Sequence, residues 1–115
     1  MHEHGITKNI VMMIVKECNK NNLKNLENVI LEIGKLTTYK KDSIIMYFDI
    51  FRDDFPVLED TKLEIVEVPG KVKCNKCGEE SEIKNAYLIC CNNCKTHDVE
   101  IISGRDIIVK EIKGK

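Results

Sequence analysis

The 115-residue sequence predicts an α+β fold: two helices on one face of a small mixed β-sheet, with a cysteine-rich lobe inserted before the last strand. Three observations carry this reading. Two segments repeat their apolar residues at helical intervals, several others carry β-rich runs, and a stretch of Cys, Asn, Lys and Glu interrupts them near residue 70. The length suits one domain, or one domain with a small satellite. A composition of 43% hydrophobic and 32% charged residues is that of a folded globular chain.

In chain order, Ile6, Ile10, Met13, Ile14 and Cys18 make a one-sided stripe from Gly5 to Lys20, with Lys8, Lys16 and Asn19 opposite. Val11, Met12 and Val15 widen that stripe, which predicts a helix covered over much of its girth. Cys18, on the stripe, reads as a buried and unreactive thiol. The run NKNNLKN breaks the helix. Asn28 to Leu36 is β-rich, with Val29, Leu31 and Ile33 on one face. Asp42 and Ser43 start a second helix, whose stripe is Ile44, Tyr47, Phe48, Phe51 and Phe55; Pro56 closes it.

Lys62 to Val68 reads as a strand whose alternation slips between Ile65 and Val66, a place for a bulge. Pro69 and Gly70 then punctuate the chain, and Lys71 to about His97 offers little apolar material for a core. Two short β-like runs follow, Glu100 to Ile102 and Asp106 to Ile112, joined through Ser103 and Gly104. The second is apolar enough to return to the first sheet. The expected domains are therefore residues 1–69, an inserted lobe over 70–104, and a returning strand over 105–115.

Charge and composition exclude several classes. Lys plus Arg (18) nearly balances Asp plus Glu (19), so the basic surplus of a nucleic-acid binder is missing. No apolar run approaches the ~20 residues a bilayer needs, which speaks against a membrane span. A signal-peptide layout is also missing, so the expected place is the cytoplasm. Thiols there stay reduced, and six cysteines ask for a metal or redox explanation. The sequence holds no GxxxxGK[ST], no HExxH and no serine elbow, and its histidines are His2, His4 and His97. It does not read as an enzyme.

The strongest chemical signal is Cys74-Asn75-Lys76-Cys77-Gly78 followed by Cys91-Asn92-Asn93-Cys94. Two such CxxC pairs can give four thiolates to one tetrahedral zinc, which makes the inserted lobe a four-cysteine zinc ribbon. Gly78 suits the turn that follows a metal knuckle. So apolar-poor a lobe needs metal binding for its stability. Cys90 beside Cys91, and His97 three residues after Cys94, are alternative ligands by proximity. A redox CxxC would sit near a βαβ pattern and a helix start, and neither pair does.

The chain opens MHEH. An N-terminal amine, the amide nitrogen of residue 2 and an imidazole on residue 2 can chelate one ion, and Glu3 adds an amide nitrogen or a carboxylate. Such a mixed nitrogen and oxygen set favours Ni(II) or Cu(II). His2 is large, so Met1 is expected to stay attached. The alternative is that these histidines decorate the chain end.

The sequence resembles the HypA/HybF family of nickel metallochaperones, which mature NiFe-hydrogenases and, in some organisms, urease. The resemblance rests on the initial MHE, the amphipathic helix, LEIGKLT, the Phe-rich helix with FDIF, LEIVEVPGKVKC, CxxCG, the second CxxC, and SGRDIIVKEI. It implies Ni(II) as cargo at Met1, His2 and Glu3, and structural Zn(II) at Cys74, Cys77, Cys91 and Cys94. His4 departs from the family pattern, either as an extra nickel ligand or as the first exposed residue of the helix. The Cys90–Cys91 doublet departs too, and Cys91 alone completes CxxC. The implied partners are the nickel-handling GTPase of the hydrogenase maturation pathway and the NiFe-hydrogenase large subunit. Monomer and homodimer both remain open.

The competing reading is a zinc-ribbon module that binds protein or nucleic acid and has no nickel function. Such a ribbon should be basic and indifferent to His2. This chain carries a net charge of −1, and Glu79, Glu80 and Glu82 stand in the lobe beside Lys84.

Overall fold

The computed structural model describes residues 3–115. Helix α1 (Glu3–Lys20) is followed by strand β1 (Leu26–Gly34), helix α2 (Lys41–Arg52), a single 3-10 turn (Pro56–Leu58) and β2 (Lys62–Val68). Then come β3 (Gly70–Cys74), β4 (Glu80–Ile83), β5 (Val99–Ser103) and β6 (Ile107–Gly114). The strands form two three-stranded sheets, ordered β2-β1-β6 and β4-β3-β5. This is the α+β class, with two helices, small sheets and a four-cysteine cluster. The chain divides into two compact units. Among the described residues, one comprises 3–31, Tyr39–Ile65 and Val109–Lys115, the other Glu32–Thr38 and Val66–Ile108.

In the first unit, α1 buries Thr7, Ile10, Val11, Ile14 and Cys18, a run at helical spacing headed by Glu3. The stripe is narrower than expected. Met12 and Met13 are half exposed, at 51% and 53%, so the helix is not covered over most of its girth. Asn22 ends it, in the left-handed region at φ 58. The Leu23 amide donates to the Cys18 carbonyl and the Asn22 amide to that of Asn19, which is the Schellman pattern. Burial raises the Cys18 thiol pKa, with Glu17 adding to the effect, as suits an inert core group.

Strand β1 starts and ends two residues earlier than the pattern predicts, with Leu26, Val29, Leu31 and Ile33 buried. The buried Thr61 hydroxyl donates to the Leu26 carbonyl at 2.7 Å. In α2, Ile44 and Phe48 are fully buried. The helix stops at Arg52, short of the expected Phe55. The cause is local: Pro56 pushes the residue before it out of the helical region, and Phe55 is extended at φ −134, ψ 105. Arg52 then gathers the segment that follows. Its guanidinium donates to the carbonyls of Leu58, Glu59 and Thr61 and to Asp49, and it lies over the Phe48 ring.

In the second unit, β3 pairs antiparallel with β4 (Val72 opposite Ser81) and with β5 (Val72 opposite Ile101). The register with β5 shifts between Lys71 and Val72. Strands β3 and β4 lie where little core material was expected. Val72, Cys74, Ser81, Ile83 and Cys91 are buried, so a two-residue alternation does run through this stretch, with cysteine and serine among its inward members. Gly104, at φ +83, approaches the backbone of Pro69 and Gly70 closely enough to exclude any side chain.

Candidate metal centre

The four cysteines of the two CxxC pairs converge. Ligand atoms of Cys74, Cys77, Cys91 and Cys94 all lie within 4.8 Å of one another. Sγ of Cys74 is 3.4 Å from that of Cys94, Cys77 is 3.6 Å from Cys91, and Cys94 is 4.0 Å from Cys77. A tetrahedral zinc with Zn–S near ~2.3 Å has sulfur–sulfur edges of about 3.8 Å. The observed separations bracket that value, and an all-thiol donor set is among those structural zinc takes. The residues fit the ion. Cys90 and His97 stand outside this cluster, and the His97 ring nitrogen Nδ1 meets the Ile89 carbonyl oxygen at 3.0 Å.

The two halves are built alike. In the first, the Cys74 amide donates to the Glu79 carbonyl, the Gly78 amide to the Cys74 carbonyl, and the Cys77 amide to Cys74 Sγ. In the second, the Cys91 amide donates to Thr96, Lys95 to the Cys91 carbonyl, and the Cys94 amide to Cys91 Sγ. Gly78 and Lys95 occupy equivalent places, both left-handed, at φ +76 and φ +60. Lys95 therefore carries a strain that Gly78 avoids. Lys95→Gly is expected to stabilise the protein, and Gly78→Ala to destabilise it, each by about 1 kcal/mol. Thermal midpoints of the two variants check both signs.

Asparagine is the second residue of both knuckles and ties each one outward. Asn75 Nδ2 donates to the Asp98 carboxylate at 3.0 Å, and Asn92 Nδ2 to the Glu82 carbonyl at 3.5 Å, while the Asn92 backbone N–H donates to the Ser81 hydroxyl at 3.1 Å. Reading the cysteines alone missed these two residues; the shared Cys-Asn-x-Cys was the signal.

The sulfurs are not electrostatically equivalent. The Cys94 amide, with that of Asn93, holds the Cys91 thiol down at about 6, against burial. The Cys77 amide lowers Cys74 in the same way. The Thr96 amide pulls Cys94 downward too, but the neighbouring Cys74, Cys91 and Cys77 thiols, together with burial, push it up to about 11. Cys91 and Cys74 are buried, Cys77 and Cys94 exposed.

Met1 and His2, expected to hold nickel, lie outside the described residues. Glu3 is buried in the first turn of α1, at 7% exposure. His4 is exposed on the same turn, and its ring stands edge-on to Tyr47 and Phe51 of α2, with centroids 5.2 and 5.3 Å away. Among the described residues, no helix is long and apolar enough to cross a membrane.

A family model described as "HypA: Hydrogenase/urease nickel incorporation, metallochaperone, hypA" matches residues 1–114. The chain belongs to the HypA family. Among its relatives is a hydrogenase maturation factor HypA from Trichormus variabilis, 39% identical over 113 residues, covering 98% of this chain and 95% of that one. Its counterpart from Nostoc punctiforme is 38% identical over the same coverage. The solution structure of the Ni metallochaperone HypA from Helicobacter pylori shares the fold, with a TM-score of 0.75 at 22% identity over 99% of this chain and 97% of that one. HypA proteins are metallochaperones of hydrogenase and urease nickel incorporation, and not enzymes.

Proposed function

We propose that this chain carries Ni(II) at its N-terminus and gives it up during maturation of NiFe-hydrogenase, or of urease, in the cytoplasm. The observation that carries this reading is the HypA match beginning at residue 1, which takes in MHE together with both CxxC pairs. His2, the Met1 amine, neighbouring backbone nitrogen and Glu3 hold the nickel. His4 is the candidate additional ligand. Residues 1–69 with 105–115 form the nickel domain, and 70–104 the zinc ribbon. Cys74, Cys77, Cys91 and Cys94 hold a structural zinc that keeps the ribbon folded. With four protein ligands such a site has no open position for catalysis.

The hydrogenase large subunit is the recipient in this reading. A separate GTPase of the pathway supplies nucleotide hydrolysis, because the sequence has no phosphate-binding loop of its own. Protons compete for an imidazole (~6.5) and an α-amine (~7.7–8.0), so nickel affinity should fall from about pH 8 to about pH 6.

The test is a nickel titration of untagged, zinc-loaded protein beside His2→Ala and an N-terminally extended form. About one nickel per chain is expected for the native protein, with both altered forms losing it and affinity declining toward acid. Equal uptake by all three, or an affinity flat across that pH range, rejects the reading.

A further inference from the structure

The buried face of α1 changes character along its length. Ile10, Val11, Ile14 and Cys18 are apolar, but the two buried residues at its N-terminal end, Glu3 and Thr7, are polar. Four positions apart, they share one face of the helix, one turn above the other. Thr7 is 1% exposed, and its Oγ1 has no hydrogen-bond partner among the described residues. A helical threonine commonly returns its hydroxyl to the carbonyl one turn back, and Thr7 does not. A buried hydroxyl left unpaired carries its full desolvation penalty, which a valine of the same shape would avoid. Glu3, by contrast, is already engaged. The polar end of this face thus holds a donor in reserve one helical turn from Glu3, the residue after His2.

We infer that Thr7 is a positioning residue for the nickel cargo: when Glu3 turns to the ion, the Thr7 hydroxyl donates to its carboxylate and fixes the ligating oxygen. The inference rests on the nickel reading above. A carboxylate that coordinates through one oxygen keeps lone pairs for a donor. Hydrogen bonds of this kind orient metal-binding carboxylates, and their loss weakens binding ~10–100-fold.

The test is a double-mutant cycle on full-length, zinc-loaded protein, with Ni(II) chloride alone as the probe. Thr7→Val keeps the shape and removes the donor, while Thr7→Ser keeps the donor. The expected result is a loss of ~10-fold in nickel affinity for Thr7→Val, most of it restored in Thr7→Ser. In a Glu3→Ala background the same valine should change nothing. Without nickel, Thr7→Val should melt at or above the wild-type temperature, because an unpaired hydroxyl has gone. Wild-type affinity in Thr7→Val, an equal loss in both backgrounds, or a lowered melting temperature alongside weaker binding overturns the role of Thr7 and leaves the nickel reading standing. Wild-type protein that takes up no nickel overturns both.

Discussion

Cys91→Ser should release the zinc and unfold the ribbon while leaving α1 and α2 helical. The lobe around this sulfur buries few apolar residues, chiefly Val72 and Ile83 with Cys74 and Cys91 themselves. Structural zinc in small domains supplies an apparent ~10–16 kcal/mol of folding free energy, far more than such a core can. Zinc content should drop to near zero, and amide exchange across β3–β5 should lose its protection. Native exchange protection in the serine variant would reject the assignment. Cys90→Ser, outside the cluster, should keep its zinc.

The pH dependence follows from the same sulfurs. Zinc binds thiolates, so uptake releases protons and affinity falls as pH falls. Cys94, pushed up to about 11, gives up its proton on binding at any ordinary pH. Cys91, held down at about 6, is already a thiolate at neutral pH. It becomes a further proton to displace only as pH drops through about 6, so the decline should steepen there. Competition with a metal indicator dye across that range measures the slope.

Gly34→Ala should be among the most damaging substitutions available in the chain. A Cβ at Gly34 would collide with the carbonyl group of Gly104, and Gly104 already abuts Gly70 and Pro69. Backbone meets backbone there, so no side-chain rotation relieves the clash. The expected loss is about 4 kcal/mol or more, at the extreme of single substitutions, and a fall of well over ~10 °C in melting temperature. Gly5→Ala makes the control. Nothing lies within 4 Å of a Cβ at this helical position, and it should gain about 0.5 kcal/mol. A Gly34→Ala variant as stable as Gly5→Ala would show that the approach of Gly34 to Gly104 is not rigid.

The parts of the fold legible in the sequence were those set by short-range rules. The span of β2, the inward face of β1 and the meeting of four sulfurs follow from spacings that adjacent residues decide. Readings that needed tertiary context went astray. Met12 and Met13 are as apolar as their neighbours, yet α1 buries a narrower stripe and leaves them half exposed. Strand β3 escaped notice because its inward residues are Gly70, Val72 and Cys74, of which only Val72 looks like core. Phe55 continued a helical stripe, and the conformational demand of Pro56 outweighed that periodicity. Thr7 gave no signal at all, since a threonine in an apolar stripe is ordinary until its hydroxyl proves unpaired.

The two matching knuckles also set the route by which the centre can be dismantled. In each half the leading cysteine is buried and the trailing one exposed. A competing chelator or an oxidant arriving from solvent therefore meets Cys77 and Cys94, one sulfur from each side, before it can reach Cys74 or Cys91. Attack on the accessible pair loosens both halves at once and leaves two shielded sulfurs, one per knuckle. Neither half then retains a complete bidentate grip, so partial erosion of this centre spreads across the join instead of stopping at one side.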